Sequence, residues 1–309
     1  MLSLDPQAAS LLQRTLAGAP PALARVLAQA AGLGLYASNY DGVRRACPPL
    51  IQAAIGCSRW TAHGIAWCAT AETMVAYADV AYLLSRTEDQ IRARADHQCT
   101  LEGAQHLVRA LQHGGGALLF SAHFACMYLG ALLRPVHPAL EHVELAFLMR
   151  QAPGLPSLVD KLARVCGRRI SIIDIDEPMA ARSLISHLRR NQVVACMYDF
   201  FYEGTALVVT PFLGGPCATP GGVARIAAHT GCTLLPQFTF REGGRYHTVI
   251  RDPLVLPEQG SLDERTVHIT ALMNERIERE ILDRPSQWSF WRGLDRRRKW
   301  AAVADEQPA

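Results

Sequence analysis

The first 110 residues carry apolar side chains at helical intervals. Leu11, Leu12, Leu16, Leu23, Val26 and Leu27 are spaced for one helix face, interrupted by Pro20-Pro21. Two further helical patterns cover roughly 60–85 and 87–112; in the second, Leu107, Val108 and Leu111 form an apolar stripe. From residue 117 the rhythm changes to short apolar runs alternating with helical stretches. Segments 117–122, 143–149, 170–173, 193–198, 206–212 and 233–240 read as strands, and 246–252 as an edge strand. Helices are expected over 156–166, 178–190, 220–230 and 262–283. The alternation predicts an α/β protein: a mostly parallel central sheet flanked by helices, preceded by a helical N-terminal region over 1–95, with the α/β domain over 96–309.

Composition narrows the function. The chain has 309 residues and a net charge of +3, too small to point to nucleic acid, and only 7% aromatics, too few for a base-stacking surface. Nine cysteines, an odd number with no C-x-x-C pair, support neither a zinc site nor a disulfide framework. Scattered through apolar stretches, they read as small buried hydrophobes in a reducing compartment. The start, M-L-S-L-D-P-Q, lacks the basic and apolar regions of a signal peptide. No uncharged apolar run of membrane-spanning length occurs outside 114–133, which holds three glycines and a histidine and reads as strand, turn and helix. A soluble, cytoplasmic protein is expected.

In open α/β sheets, ligands bind beyond the carboxyl ends of the strands. His123 follows the strand at 117–122, at the start of an expected helix; Arg150 follows 143–149 and Asp199 follows 193–198. The three are candidates for one site.

The order of several motifs then resembles the bacterial lipid A lauroyl/myristoyl acyltransferase family of the lysophospholipid acyltransferase superfamily, which includes phosphatidylinositol mannoside acyltransferases. The likeness covers about 95–300. It runs from Glu102-Gly103 and L-x-x-A-L-Q-H-G-G-G through the strand ending S-A-H-F, then F-L-M-R-Q-A-P-G-L and N-Q-V-V-A-C-M-Y-D. It continues through V-V-T-P-F-L-G-G-P-C-A-T-P-G-G-V-A-R-I-A-A-H-T-G and R-P-S-Q-W-S-F-W-R-G-L-D-R-R-R-K-W. Two features depart from the family: no membrane-spanning helix is found, and the H-x4-D/E position five residues after His123 is Tyr128.

The resemblance implies acyl transfer from a thioester on an acyl carrier protein or coenzyme A to an amine or hydroxyl of a small or carrier-bound acceptor, with His123 as general base. Backbone N–H groups at the start of the helix after His123 are the candidate oxyanion donors. A tyrosine hydrogen-bonds but bears no charge at neutral pH. Three explanations stay open: another carboxylate, Asp199 or Glu203, takes over; an amine acceptor asks less of the base; or the chain is a non-catalytic scaffold for an acyl chain or carrier protein. Tyr128 either supports His123 or packs against the first helical turn, and Cys126 is an acyl-accepting thiol or a buried one.

Arg150 either binds a donor phosphate or pairs with Asp199 or Glu203. Phe124, Cys126, Phe212, Gly214 and Thr219 are the other candidate substrate-binding residues, and the loop 211–222 is expected to shape the pocket. Gly214-Gly215 and Gly221-Gly222 serve a phosphate cradle or close helix–sheet packing. The run Arg296-Arg297-Arg298-Lys299, with Trp288, Phe290, Trp291 and Trp300 nearby, is a solvated face, a dock for an acidic carrier protein, or a peripheral contact with anionic lipid. No metal or redox cofactor and no nucleic-acid partner is expected, and membrane contact at most peripherally, the last compatible with a lipid acyltransferase.

Overall fold

A computed structural model describes residues 16, 18–125, 140, 143–152, 154–200 and 206–305. Among them the chain runs α1 (Pro21–Ala37), α2 (Val43–Ile55), α3 (Arg59–Ser85), α4 (Glu88–Gln98), β1 (Cys99–Glu102), α5 (Ala104–His113), β2 (Ala117–Ser121), β3 (Leu145–Met149), α6 (Leu155–Cys166), β4 (Ile170–Asp174), α7 (Ala180–Arg189) and β5 (Val193–Met197). It continues with β6 (Leu207–Phe212), β7 (Gly215–Pro220), α8 (Gly222–Thr230), β8 (Thr233–Glu242), β9 (Arg245–Ile250), α9 (Leu262–Asp283) and α10 (Trp291–Asp305).

Seven strands form one sheet in the order β1-β9-β8-β2-β5-β3-β4. Every neighbouring pair is parallel except the β8–β9 hairpin. The architecture is the mixed α/β one expected from the alternation of patterns. β2 lies near the middle, and all five of its residues are buried, as a strand covered on both faces requires. Its side chains alternate between the two cores. Leu118 and Phe120 join Val43, Ile51 and Ala66 of the N-terminal helices, Leu188 of α7 and Ile269 of α9. Ala117 and Leu119 join Ile91 of α4, Leu107 of α5 and Leu162 of α6. Each fully buried Leu or Phe is worth about 1.5–3 kcal/mol, so both faces hold the strand in register.

Three expectations are corrected. The helical pattern over 87–112 is broken: Thr87 and Gln90 close a capping box that starts α4, and residues 99–102 then form β1, paired with β9. β9 is therefore internal and β1 is the edge. The segment 211–222, read as a loop, takes in the end of β6, the turn and all of β7 of an antiparallel hairpin. Its turn is Leu213-Gly214, both at positive φ (50° and 80°), as a type I′ hairpin turn requires.

Candidate active site

β2 and β5 pair in parallel with Ser121 opposite Met197, and the ladder continues as Tyr198 N–H donates to the Ser121 carbonyl at 2.8 Å. Two residues beyond each strand end stand His123 and Asp199, so strand register alone brings them side by side. The contact is close. His123 Nδ1 lies 2.7 Å from Asp199 Oδ1, and the His123 backbone N–H donates to Asp199 Oδ2 at 2.8 Å. The same Oδ2 accepts from the Trp288 indole N–H at 2.7 Å.

Asp199 is sealed from solvent. Burial alone would raise its pKa. The His123 charge, the hydrogen bonds from His123 and the indole outweigh that and hold the carboxyl below its ordinary value. It is therefore a carboxylate at neutral pH. Against a carboxylate, Nδ1 carries the ring proton and Nε2 offers its lone pair. The imidazole remains 22% exposed, and among the described residues none bonds to Nε2.

Segment 284–290, between α9 and α10, closes the back of the site. Ser289 N–H donates to the His123 carbonyl at 3.0 Å, and Phe124 and Trp288 form an antiparallel bridge. Phe290 stacks on the imidazole, with centroids 4.4 Å apart. Gln287 exchanges two hydrogen bonds with the Arg241 backbone, at 2.9 and 3.0 Å, and the Arg241 guanidinium pairs with Glu72 of α3. The carboxylate is thus seated by a segment that is itself clamped to β8 and, through it, to α3. Trp288 and Phe290 were not singled out in the sequence as site residues; their sole signal was their place in the C-terminal motif block.

Other candidates take different places. Arg150 stands at the end of β3, on the same sheet edge, but does not pair with Asp199: its guanidinium grips Asp176 bidentately at 2.6 and 2.8 Å, both side chains half exposed. Phe124 is buried against Phe238 and Phe240. Phe212 is buried edge-on to Trp288, under the Arg297 guanidinium. Thr219 is buried and accepts from Asn274 Nδ2 (2.8 Å) and Arg297 Nη2 (2.6 Å). These three are wall and foundation, not pocket surface. Gly214 belongs to the hairpin turn, and Gly221 packs where a Cβ would lie 2.7 Å from Val208 Cγ2, so close packing, not a cradle, explains that glycine.

The run 296–299 is not one basic face. Arg297 is buried, Arg298 donates to the Leu213 carbonyl, and Lys299 pairs with Asp295. Cys126, Tyr128 and Glu203 lie outside the described residues, as does the expected helix after His123 with its N–H groups. The His123 and Phe124 amides are already committed, the first to Asp199 and the second to the Ala122 carbonyl at 2.7 Å. Burial pushes the thiols of Cys47 and Cys196 up to about 12, which removes them as thiolate nucleophiles.

A histidine held through Nδ1 by a buried carboxylate is one arrangement that acyl-transfer enzymes use. The sequence profile described as bacterial lipid A biosynthesis acyltransferase matches residues 63–297. The chain belongs to that family. The match takes in His123, Asp199, Trp288 and Arg297, and it begins inside α3. No curated protein matches the chain as a relative. In this acyltransferase, no helix among the described residues is long and apolar enough to cross a membrane.

Proposed function

We propose that the enzyme moves an acyl group from a thioester, on an acyl carrier protein or coenzyme A, to an amine or hydroxyl of a small or carrier-bound acceptor. His123 Nε2 takes the acceptor's proton as its nitrogen or oxygen attacks the thioester carbonyl. The tetrahedral intermediate collapses by breaking the C–S bond, and the imidazolium returns the proton to the departing thiolate. Asp199 fixes the ring with Nε2 unprotonated and stabilises the imidazolium. As written, the reaction requires no metal or redox cofactor.

The observation that carries this reading is the three-donor seat of a buried carboxylate against Nδ1, with the opposite ring nitrogen unbonded among the described residues. Structural histidine caps rarely need a desolvated anion behind them, because burying a charge is costly unless it is fully paired. The test is mass spectrometry of acyl-carrier and acyl-coenzyme A substrates incubated with amine, alcohol and lipid acceptors, using wild type and His123→Ala. Acyl transfer by the wild type, reduced at least a hundredfold in the variant, is expected. Equal product from His123→Ala overturns the assignment of the base, and acylation of membrane lipid alone overturns the soluble acceptor.

A further inference from the structure

We propose that Arg297 is a positioning residue for the His123–Asp199 pair: its buried guanidinium is the counter-charge that balances the carboxylate and keeps the imidazole neutral, ready to take a proton. This role rests on the reading of His123 as the base. Arg297 lies on α10 and is 2% exposed. It bonds neutral acceptors: Nε donates to the Ala218 carbonyl at 3.1 Å, and Nη2 to Thr219 Oγ1 at 2.6 Å and Asn274 Oδ1 at 3.3 Å. Among the described residues Nη1 bonds nothing, and no carboxylate pairs with the side chain. Neutral oxygens call for N–H donors, not for a charge. An uncharged amide would serve them without the cost of burying a cation. A guanidinium stays protonated even when buried, so the cation itself needs a partner.

The way from Arg297 to Asp199 is aromatic and dry. The guanidinium carbon stands 4.2 Å from the Phe212 ring centroid. Phe212 meets Trp288 edge-on, with centroids 6.1 Å apart, and the Trp288 indole N–H donates to Asp199 Oδ2 at 2.7 Å. Both rings are fully buried, so protein rather than solvent fills the space between cation and carboxylate, and their attraction is little screened. The other ionisable groups around Arg297 carry no charge at neutral pH. Burial pushes the Cys217 thiol and the Tyr198 hydroxyl up, and Asp199 is the anion that remains.

Charges on the neighbouring elements cancel. Glu278 of α9 accepts from the Leu213 N–H at 2.7 Å and Arg298 of α10 donates to the Leu213 carbonyl at 2.8 Å, so an acid and a base hold the two ends of one hairpin residue. Arg292 of α10 is ion-paired with Asp41. The Cys196 thiol on β5, pushed up to about 12 by burial, is neutral. Segment 284–290 faces the imidazole with the uncharged Trp288, Ser289 and Phe290.

With His123 neutral, the buried charges of Asp199 and Arg297 sum to zero. Protonating the ring leaves one positive charge in excess, which the guanidinium repels. The carboxylate by itself favours the imidazolium. Arg297 opposes that pull while Asp199 still orients the ring, so Nε2 keeps its lone pair at the pH where a base has to work.

Titration of the His123 ring by nuclear magnetic resonance, in the full chain and without substrate, tests this. Arg297→Met removes the charge. Asn274→Asp instead pairs it, and the Thr210 and Thr219 hydroxyls beside that side chain can donate to the new carboxylate. Both variants should raise the His123 midpoint by about one pH unit, and the acid limb of kcat/KM for acyl transfer should move up with it. Arg297→Lys loses the same hydrogen-bond geometry but keeps the charge, and should titrate as wild type does. Equal shifts in Arg297→Lys and Arg297→Met overturn the proposal. So does an unchanged midpoint in Asn274→Asp, which decides the matter if Arg297→Met does not fold. The expected shifts in a chain that transfers no acyl group from any thioester would support the charge balance and overturn the reading of His123 as the base.

Discussion

Replacing Asp199 by asparagine tests the site at its most constrained atom. The two carboxylate oxygens have different duties: Oδ1 faces His123 Nδ1, while Oδ2 accepts from both the His123 amide and the Trp288 indole. An amide has only one oxygen, so the substituted side chain must choose. With its oxygen toward Nδ1–H, its NH2 confronts two N–H donors and strands both, at about 1–3 kcal/mol for each buried unsatisfied group. With its oxygen toward the two donors, its NH2 faces Nδ1 and donates to it. The second arrangement satisfies every group by moving the imidazole proton to Nε2. Its cost is one tautomer change, so it wins.

The consequence is a histidine in the same place with the wrong nitrogen protonated. Such a ring cannot accept a proton at Nε2, and the general-base contribution, about 10²–10⁴-fold, is lost. The expected result is a fall in kcat of that size with KM for the thioester little changed, and a folded protein. Single-turnover transfer rates give the first number. Nitrogen-15 spectra of His123 report which ring nitrogen bears hydrogen, and Nε2–H is expected in the variant. A variant within tenfold of wild-type kcat, or one that keeps Nδ1–H while losing activity, would refute the reasoning.

Three further outcomes are expected. Trp288→Phe removes a hydrogen bond to a charged group and leaves space behind a smaller ring, so urea unfolding should show a loss of about 2–4 kcal/mol; its kcat defect should shrink in an Asp199→Asn background, because both act through the same carboxylate. Asp199 titrates below its unfolded value near 3.9, so its contribution to stability is present above that pH and is lost as pH falls through the lower folded value; unfolding curves across the acid limb should be flatter for Asp199→Asn than for wild type. Arg150→Gln breaks an ion pair that is half exposed on both sides, so losing that pair should leave urea unfolding nearly unchanged, and a tenfold rise in KM for the thioester donor would assign Arg150 to donor binding.

The fold was legible wherever burial imposed a period. β2 to β5, α6, α7, β8 and α9 lie within about two residues of their predicted bounds because each has a fully apolar core or a regular stripe. What was not legible depended on partners far along the chain. The four residues of β1 have a mixed burial pattern, and pairing with β9 makes them a strand. β7 is rich in glycine and proline and is a strand because β6 folds back on it and Asn274 bonds Thr210 and Thr219 from α9. In the site, His123 and Asp199 could be nominated from strand ends, but Trp288 could not: a tryptophan before a helix has no local mark of facing a carboxylate on another strand. The basic run misled for a related reason, since charge in sequence says nothing of direction, and Arg297 turns inward to the Ala218 carbonyl, Thr219 and Asn274.

Tyrosine at position 128, where the family motif has a carboxylate, then poses less of a chemical problem. An imidazole acting as base at Nε2 has one proton to donate elsewhere, at Nδ1, and one good acceptor exhausts it. Asp199 occupies that acceptor position at 2.7 Å, from a neighbouring strand whose register with β2 is fixed by backbone pairing and by side chains in both cores. A second carboxylate five residues after His123 could not accept the same proton. Brought close, it would add a like charge beside Asp199 and raise the pKa of both groups. For the base proposed here, a neutral side chain at 128 leaves the orientation of the ring intact. Tyr128→Glu should accordingly fail to raise kcat, and a rise of tenfold or more would mean that the Asp199 seat does not by itself complete the histidine.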